Sequence, residues 1–357
     1  MTDFVVTDIS QVTVEWLESV LRRAGALRSG AVLGFEVETR KETWSNSARL
    51  QLRYQPDSIG ELPQTLFLKM CRFAEFGVSE VDYYRRDYAG ALDVPVVRHY
   101  DVCYAPQHHA YHLLLEDLSA THTNGWERAV TPDLVTGIAD SVARLHVFRW
   151  NATALNEVGA HLPGQVELDR YFAHIGRGLE PLLAIGGDDV KAEWRPLLRE
   201  IFEHHPPLML QRTGEPRGIC LVHGDVNSGN LLIPQTWPGR VYLVDRQPFD
   251  WSLQVWLGVS DLAYLMCSFW PADVRQQYER IMIEHYHQAL QRLGIHDYEW
   301  RDLWADYRLC AVQAVYVAVE WCVLESDRER MRWLWTQELS RAMSAFEDLR
   351  CRELWTR

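Results

Sequence analysis

"LVHGDVNSGNLLIP", residues 221–234, sets a histidine, an aspartate and two asparagines between two apolar runs. Leu221-Val222 and Leu231-Leu232-Ile233 have the pattern of short buried strands. The stretch between them carries His223, Asp225, Asn227 and Asn230, and Gly224 and Gly229 allow it to turn tightly. An aspartate buried beside a strand needs hydrogen-bond partners or a metal ion to offset its desolvation. Asp225 is therefore tied into a structural network or does chemistry.

The next residues favour chemistry. "NLLIP" (230–234) and "VYLVD" (241–245) flank a segment containing Pro238 and Gly239. Paired as a hairpin with Pro234 opposite Val241, they place Asn230 opposite Asp245. An amide oxygen and a carboxylate then meet at one end of the ribbon, with Asp225 just beyond. Hard oxygen ligands of this kind suit Mg²⁺, which keeps several waters and shares phosphate oxygens.

Working outward, the period of the sequence changes once. Residues 13–24 form an amphipathic helix with Trp16, Leu17, Val20 and Leu21 on one face and Gly25 as its stop. "ARLQLRY" (48–54) alternates strictly, as a half-buried strand does. A turn over 56–63, a strand over 65–70, a helix over 79–92 and strands near 96–104 and 110–115 follow. After "LLLEDLSATHTNG" the period is helical. Thr131-Pro132-Asp133 supplies a cap, a first-turn proline and an acid, and Leu134, Ile138, Val142 and Leu145 trace a buried stripe. The hairpin over 231–244 is the one clear strand pair expected in this half. Helices dominate from Val259, and Ser326-x-x-Glu329 predicts a capping box opening the last one. The expected architecture is α+β and two-lobed. A β-rich lobe over 1–117 meets a mainly helical lobe over 118–357, with a hinge near 116–119.

Composition sets the outer limits. At 357 residues the chain exceeds one typical domain, and 47% hydrophobic residues suffice for a substantial core. A net charge of -13 argues against non-specific binding to nucleic acid or anionic membrane and is compatible with a cationic small molecule. Seven cysteines without a C-x-x-C pair fit neither a zinc site nor a disulfide framework. The acidic start "MTDFVVTDIS" has no signal-peptide pattern, and no apolar run reaches membrane-span length. A reduced, cytoplasmic protein is expected.

"HGDVNSGN" resembles the H-G-D-x-x-x-x-N catalytic loop of the aminoglycoside phosphotransferase and choline kinase-like family, small-molecule relatives of protein kinases. By composition alone the pattern arises on the order of once in a thousand such chains, so chance is a poor account of it. The resemblance extends over about residues 30–270. It implies a protein-kinase-like fold, ATP or GTP as donor, Mg²⁺, and a hydroxyl of a small molecule as acceptor. Asp225 corresponds to the catalytic base, and Asn230 and Asp245 to the magnesium ligands. Lys69 in "FLKM" stands where the family's strand lysine clamps the α/β-phosphates, and Glu80 where a helix glutamate pairs with it. "LLLEDL", with Glu116, Asp117 and Leu118, is similar to the hinge whose backbone meets adenine. Asp261 in "SDLAYLM" matches an aspartate that braces the catalytic loop, and His223 reads as a structural residue bonding loop backbone.

Two features depart from the family. The phosphate loop corresponds to "ETWSNSARL", where Ser45, Asn46 and Ser47 offer hydroxyl or backbone donors. Many relatives carry an aromatic after the second metal aspartate, whereas this chain has Arg246, suited to a phosphate or a neighbouring acid. In the C-terminal helices Trp300, Trp304, Trp321, Trp333 and Trp335 cluster, where the family binds its acceptor. Glu320, Trp321 and Glu325 are the candidate acceptor pocket, suited to sugars or ammonium groups. The expected activity is ATP- and Mg²⁺-dependent phosphorylation of a hydroxyl on an aminoglycoside or other antibiotic, a sugar or an amino alcohol. The rivals are a nucleotide-binding pseudokinase without turnover, and a metal-dependent hydrolase using His223 and Asp225.

Overall fold

The alternation in "ARLQLRY" belongs to the strand Ser45–Tyr54, in which Leu50 and Leu52 are buried while Arg49, Gln51 and Arg53 face solvent. The computed structural model describes residues 4–41 and 45–356. The strand lies second in a five-stranded antiparallel sheet, in the order Val32–Lys41, Ser45–Tyr54, Thr65–Arg72, Ala110–Glu116 and His99–Ala105. The edge strand Val32–Lys41 was not expected. Its Leu33 and Val37 are 60% and 42% exposed, so apolar residues on its open side hide the alternation.

The first helix, Val14–Arg23, runs as expected, with Thr13 Oγ1 accepting from the Trp16 amide at 3.1 Å and Gly25 left-handed at φ 73° behind it. Its Leu17, Val20 and Leu21 cover Leu50, Leu52, Leu66 and Leu68 of the sheet. The helix expected over 79–92 is shorter: one α-helical turn, Ser79–Asp82, runs into a π-helical turn, Tyr83–Asp87. It ends at Asp87, because Tyr88 has already left helical geometry at φ -119° and ψ 18°.

The chain divides into two compact units. The first holds the sheet and comprises Met1–Leu92, Val96–Thr123 and Val244–Asp250; the second comprises Asp93–Pro95, Asn124–Leu243 and Trp251–Arg357. Long helices dominate the second unit: Pro132–Phe148, Trp194–Arg212, Ala272–Arg292, Trp300–Glu320 and Arg332–Asp348. Leu134, Ile138, Val142 and Leu145 are buried as the stripe predicted, and Thr131 Oγ1 caps the Leu134 amide at 3.3 Å.

Three expectations for this unit are corrected. A second strand pair exists, Ile219–Leu221 against Val255–Leu257. Each of these strands has only three residues, too few for a periodicity. Ser326 is not a helix cap. The short helix Glu325–Arg330 has Leu324 at its cap, and the Ser326 hydroxyl bonds Asp327 Oδ1 at 3.2 Å instead of a backbone amide. The hairpin register is also one residue off, because Leu231 pairs with Leu243 and Leu232 with Tyr242. Val241 is drawn out of the ladder. With Trp237 it packs over Gly137 of the helix Pro132–Phe148, where an added Cβ would come 2.5 Å from the Trp237 ring. A one-residue slip exchanges the faces of a strand, so the predicted pairing of Asn230 with Asp245 does not follow.

All seven cysteines are buried free thiols. Among the described residues no helix is long and apolar enough to cross a membrane.

Candidate active site

In the first unit the strand Thr65–Arg72 carries Lys69 with its side chain only 11% exposed. Its Nζ lies 2.8 Å from Glu80 Oε1 and 3.0 Å from Asp245 Oδ1. Burial alone would push the ammonium pKa down, but the carboxylates of Asp245 and Glu80 hold it well above its ordinary value. Lys69 is thus a permanent cation. Glu80 is buried and also accepts from the Tyr111 hydroxyl, and its burial raises its pKa against the pull of Lys69. Asp245 is 41% exposed on its side chain and has φ 59°, a left-handed conformation that only its surroundings can hold in a non-glycine residue.

Ser45, Asn46 and Ser47 belong to a strand, facing Cys71, Met70 and Lys69 in register. Ser47 is buried and Asn46 exposed. Residues 42–44 of the expected phosphate loop lie outside the described residues. In the hinge candidate, the Glu116 amide donates to the Arg98 carbonyl at 2.9 Å, and Asp117 Oδ2 takes Arg49 Nε at 2.6 Å. The Leu118 carbonyl accepts from the Thr121 and His122 amides, each at 2.9 Å. Of the two partners offered to Arg246 by its sequence context, the structure supplies the acid: Arg246 is buried against Asp87.

In the second unit Asp225 is half-buried rather than buried. Asp225 Oδ1 accepts from Tyr264 Oη and Asn227 Nδ2, both at 2.9 Å, and Oδ2 accepts from Asn230 Nδ2 at 3.0 Å. Gly224 is left-handed at φ 78°, as the tight turn requires. Asp261, in the helix Val259–Tyr264, accepts the backbone amides of His223 and Gly224, each at 2.8 Å, and His146 Nε2 at 3.0 Å. Burial would raise the Asp261 pKa, yet His146 and these bonds hold it below the usual carboxylate value. The anionic Asp261 therefore fixes the start of the loop.

Sequence reasoning missed Tyr264 and His146. Tyr264 had a signal, since three residues after Asp261 it falls on the same helix face. His146 had none. Among the described residues no group of three or more His, Cys, Asp or Glu is placed to hold a metal ion alone. Asn230 and Asp245 each carry an oxygen of the hard type that Mg²⁺ takes, and that of Asp245 is charged.

Of the acceptor candidates, Glu325 is exposed and Glu320 Oε1 lies 3.3 Å from His174 Nε2. Trp321 Nε1 donates at 2.9 Å to Oε2 of Glu338, a fully buried residue that sequence reasoning did not single out. Burial pushes the Glu338 pKa up to about 8 despite the Trp321 bond and Arg341, and the charges of Asp225 and Glu320 add to the rise. Unfolding at pH 5–8 releases its proton, so this stabilisation is full below about 4.5 and is lost as pH climbs to about 8. The slope is at most about 1.4 kcal/mol per pH unit. Glu338→Gln is expected to flatten Tm against pH between 5 and 8 and to exceed the wild type in Tm above pH 8. An unchanged slope in this variant assigns the effect to another group.

Comparison with curated proteins finds no match. Residues 194–296, which include the Asp225 loop and Asp261, match the ecdysteroid kinase-like family model. Among solved structures, the chain is similar to an ethanolamine kinase of Plasmodium vivax, with a TM-score of 0.55 at 12% identity over 88% of this chain and 81% of that one. A spectinomycin phosphotransferase solved with ADP and spectinomycin gives 0.48 at 9% identity over 94% and 98%. An aminoglycoside phosphotransferase of Streptomyces rimosus gives 0.40 at 17% over 94% and 99%. The chain therefore has the kinase-like fold seen in the ethanolamine kinase, and its residues 194–296 fit the ecdysteroid kinase-like family model.

Proposed function

We propose that this protein is an ATP- and Mg²⁺-dependent phosphotransferase that moves a γ-phosphoryl group to a hydroxyl of a small molecule. One observation carries the reading: Lys69 is a buried cation held between Glu80 and Asp245, at 2.8 and 3.0 Å. Two carboxylates on a buried lysine fix the ammonium in place, which is what a phosphate clamp needs. Asp225, anchored by Tyr264, Asn227 and Asn230, is the base. It takes the proton of the acceptor hydroxyl while that oxygen bonds the γ-phosphorus and the bond to the ADP oxygen breaks. Lys69 offsets charge on the α- and β-phosphates. Mg²⁺, held by Asp245 and Asn230, would neutralise the β- and γ-phosphates.

The acceptor is proposed to be cationic or sugar-like, since Glu320, Asp225 and the Trp321 ring offer acids and an aromatic face. A panel of amino alcohols, sugars, aminoglycosides and polyhydroxylated steroids, incubated with ATP and Mg²⁺, tests this. The expected result is a mass gain of one phosphoryl group on at least one compound. Nucleotide binding with no product across the panel points to a binding module instead.

A further inference from the structure

Arg246 stands next to Asp245, where the family resemblance calls for an aromatic, and it is 1% exposed. Its Nη1 donates to Asp87 Oδ2, which is wholly buried, and its guanidinium carbon lies 6.0 Å from the Tyr83 ring centroid. Its Nη2 has no hydrogen-bond partner among the described residues. Asp87 is the last residue of the same helical segment that begins with Ser79 and Glu80. Two ionic links therefore run in parallel from that segment to residues 244–250. Glu80 reaches Asp245 through Lys69, and Asp87 reaches Arg246 directly.

The rest of the segment is anchored close by. The Gly77 amide donates to the Pro248 carbonyl at 2.9 Å, and Phe76 packs edge-on against Phe249 at 5.1 Å. An added Cβ at Gly77 would come within 1.8 Å of Asp250 Oδ1, so the two stretches touch closely. A buried ion pair adds little stability over an apolar pair of the same volume. What it does supply is a fixed register. Asp245, at φ 59°, needs that from its neighbours.

We infer that Arg246 and Asp87 form a buried latch that sets the position of the Asp245 carboxylate, making Arg246 a positioning residue for the metal–nucleotide complex. The inference rests on the proposed function, through the role of Asp245. In this chain the ionic latch replaces aromatic packing, so metal affinity depends on the segment that also carries Glu80.

The test is calorimetric binding of a non-hydrolysable ATP analogue, with and without Mg²⁺, to the full chain. Its variants are Arg246→Met and the double variant Arg246→Met/Asp87→Leu. The single variant takes Arg246 from Asp87 but leaves it Arg86 Nε at 2.8 Å; the double variant removes the buried acid as well, and it carries the comparison if the single one does not fold. The Mg²⁺-dependent gain in affinity is expected to fall about 10–100-fold in both, the usual cost of losing a residue that orients a metal ligand. Affinity without Mg²⁺ is expected to stay at the wild-type value. A double variant with the full Mg²⁺-dependent gain overturns the latch and leaves the proposed function standing. A wild-type protein with no such gain overturns both.

Discussion

Asp225→Asn is expected to lower kcat by about 10²–10⁴-fold, the usual contribution of a positioned general base, while nucleotide affinity stays near wild type. The side chain keeps its size but loses its charge and one acceptor. In the wild type, three donors converge on the carboxylate: Tyr264 Oη and Asn227 Nδ2 at 2.9 Å and Asn230 Nδ2 at 3.0 Å. An asparagine can turn its oxygen to the first two, but its NH₂ then faces the NH₂ of Asn230. One bond is lost at a half-buried site, a cost of about 1 kcal/mol, which the fold should tolerate. Single-turnover kinetics and a melting curve separate the outcomes. Full kcat in the variant removes Asp225 from the chemistry. An unfolded variant makes it part of a structural network.

The catalytic-loop candidate was legible because it is local. Apolar runs, two glycines and polar residues at short spacing lie within fourteen residues, and the loop forms where the pattern places it. Lys69 was legible only by resemblance, since a lone lysine on a strand says nothing of the Glu80 and Asp245 carboxylates beside it. Contacts made at long separation left at most an indirect trace. Tyr264 meets Asp225 across 39 residues, and Glu338 is buried by tertiary packing that no local pattern encodes. The hairpin register failed for a related reason. Counting residues treats the turn as a free loop, but Trp237 and Val241 pack over Gly137 and take Val241 out of the pairing. Ser326 failed by competition, its hydroxyl going to the Asp327 carboxylate instead of a helix amide. For the hairpin a tertiary contact outweighed a local preference, and for Ser326 one local contact outweighed another.

Asp245→Ala is expected to abolish phosphoryl transfer and to resist rescue by added Mg²⁺, because the metal loses its one charged protein ligand. The fold should survive. Lys69 keeps Glu80 at 2.8 Å, so no buried ammonium is left unpaired. Alanine at φ 59° adds backbone strain, which Asp245→Asn controls for, since asparagine tolerates the left-handed region better. Loss of activity in both variants then belongs to the missing charge. Asn230→Ala should behave differently. It removes a neutral ligand, and with it the Nδ2 bonds to the Asp225 carbonyl at 2.9 Å and to Asp225 Oδ2 at 3.0 Å. Its kcat is expected to fall as well, but high Mg²⁺ should restore part of it, leaving the deficit in Asp225 orientation. Mg²⁺ titrations of the initial rate read both effects. Near-wild-type turnover in Asp245→Ala contradicts a role for this carboxylate in holding the metal and, with it, the phosphotransferase reading.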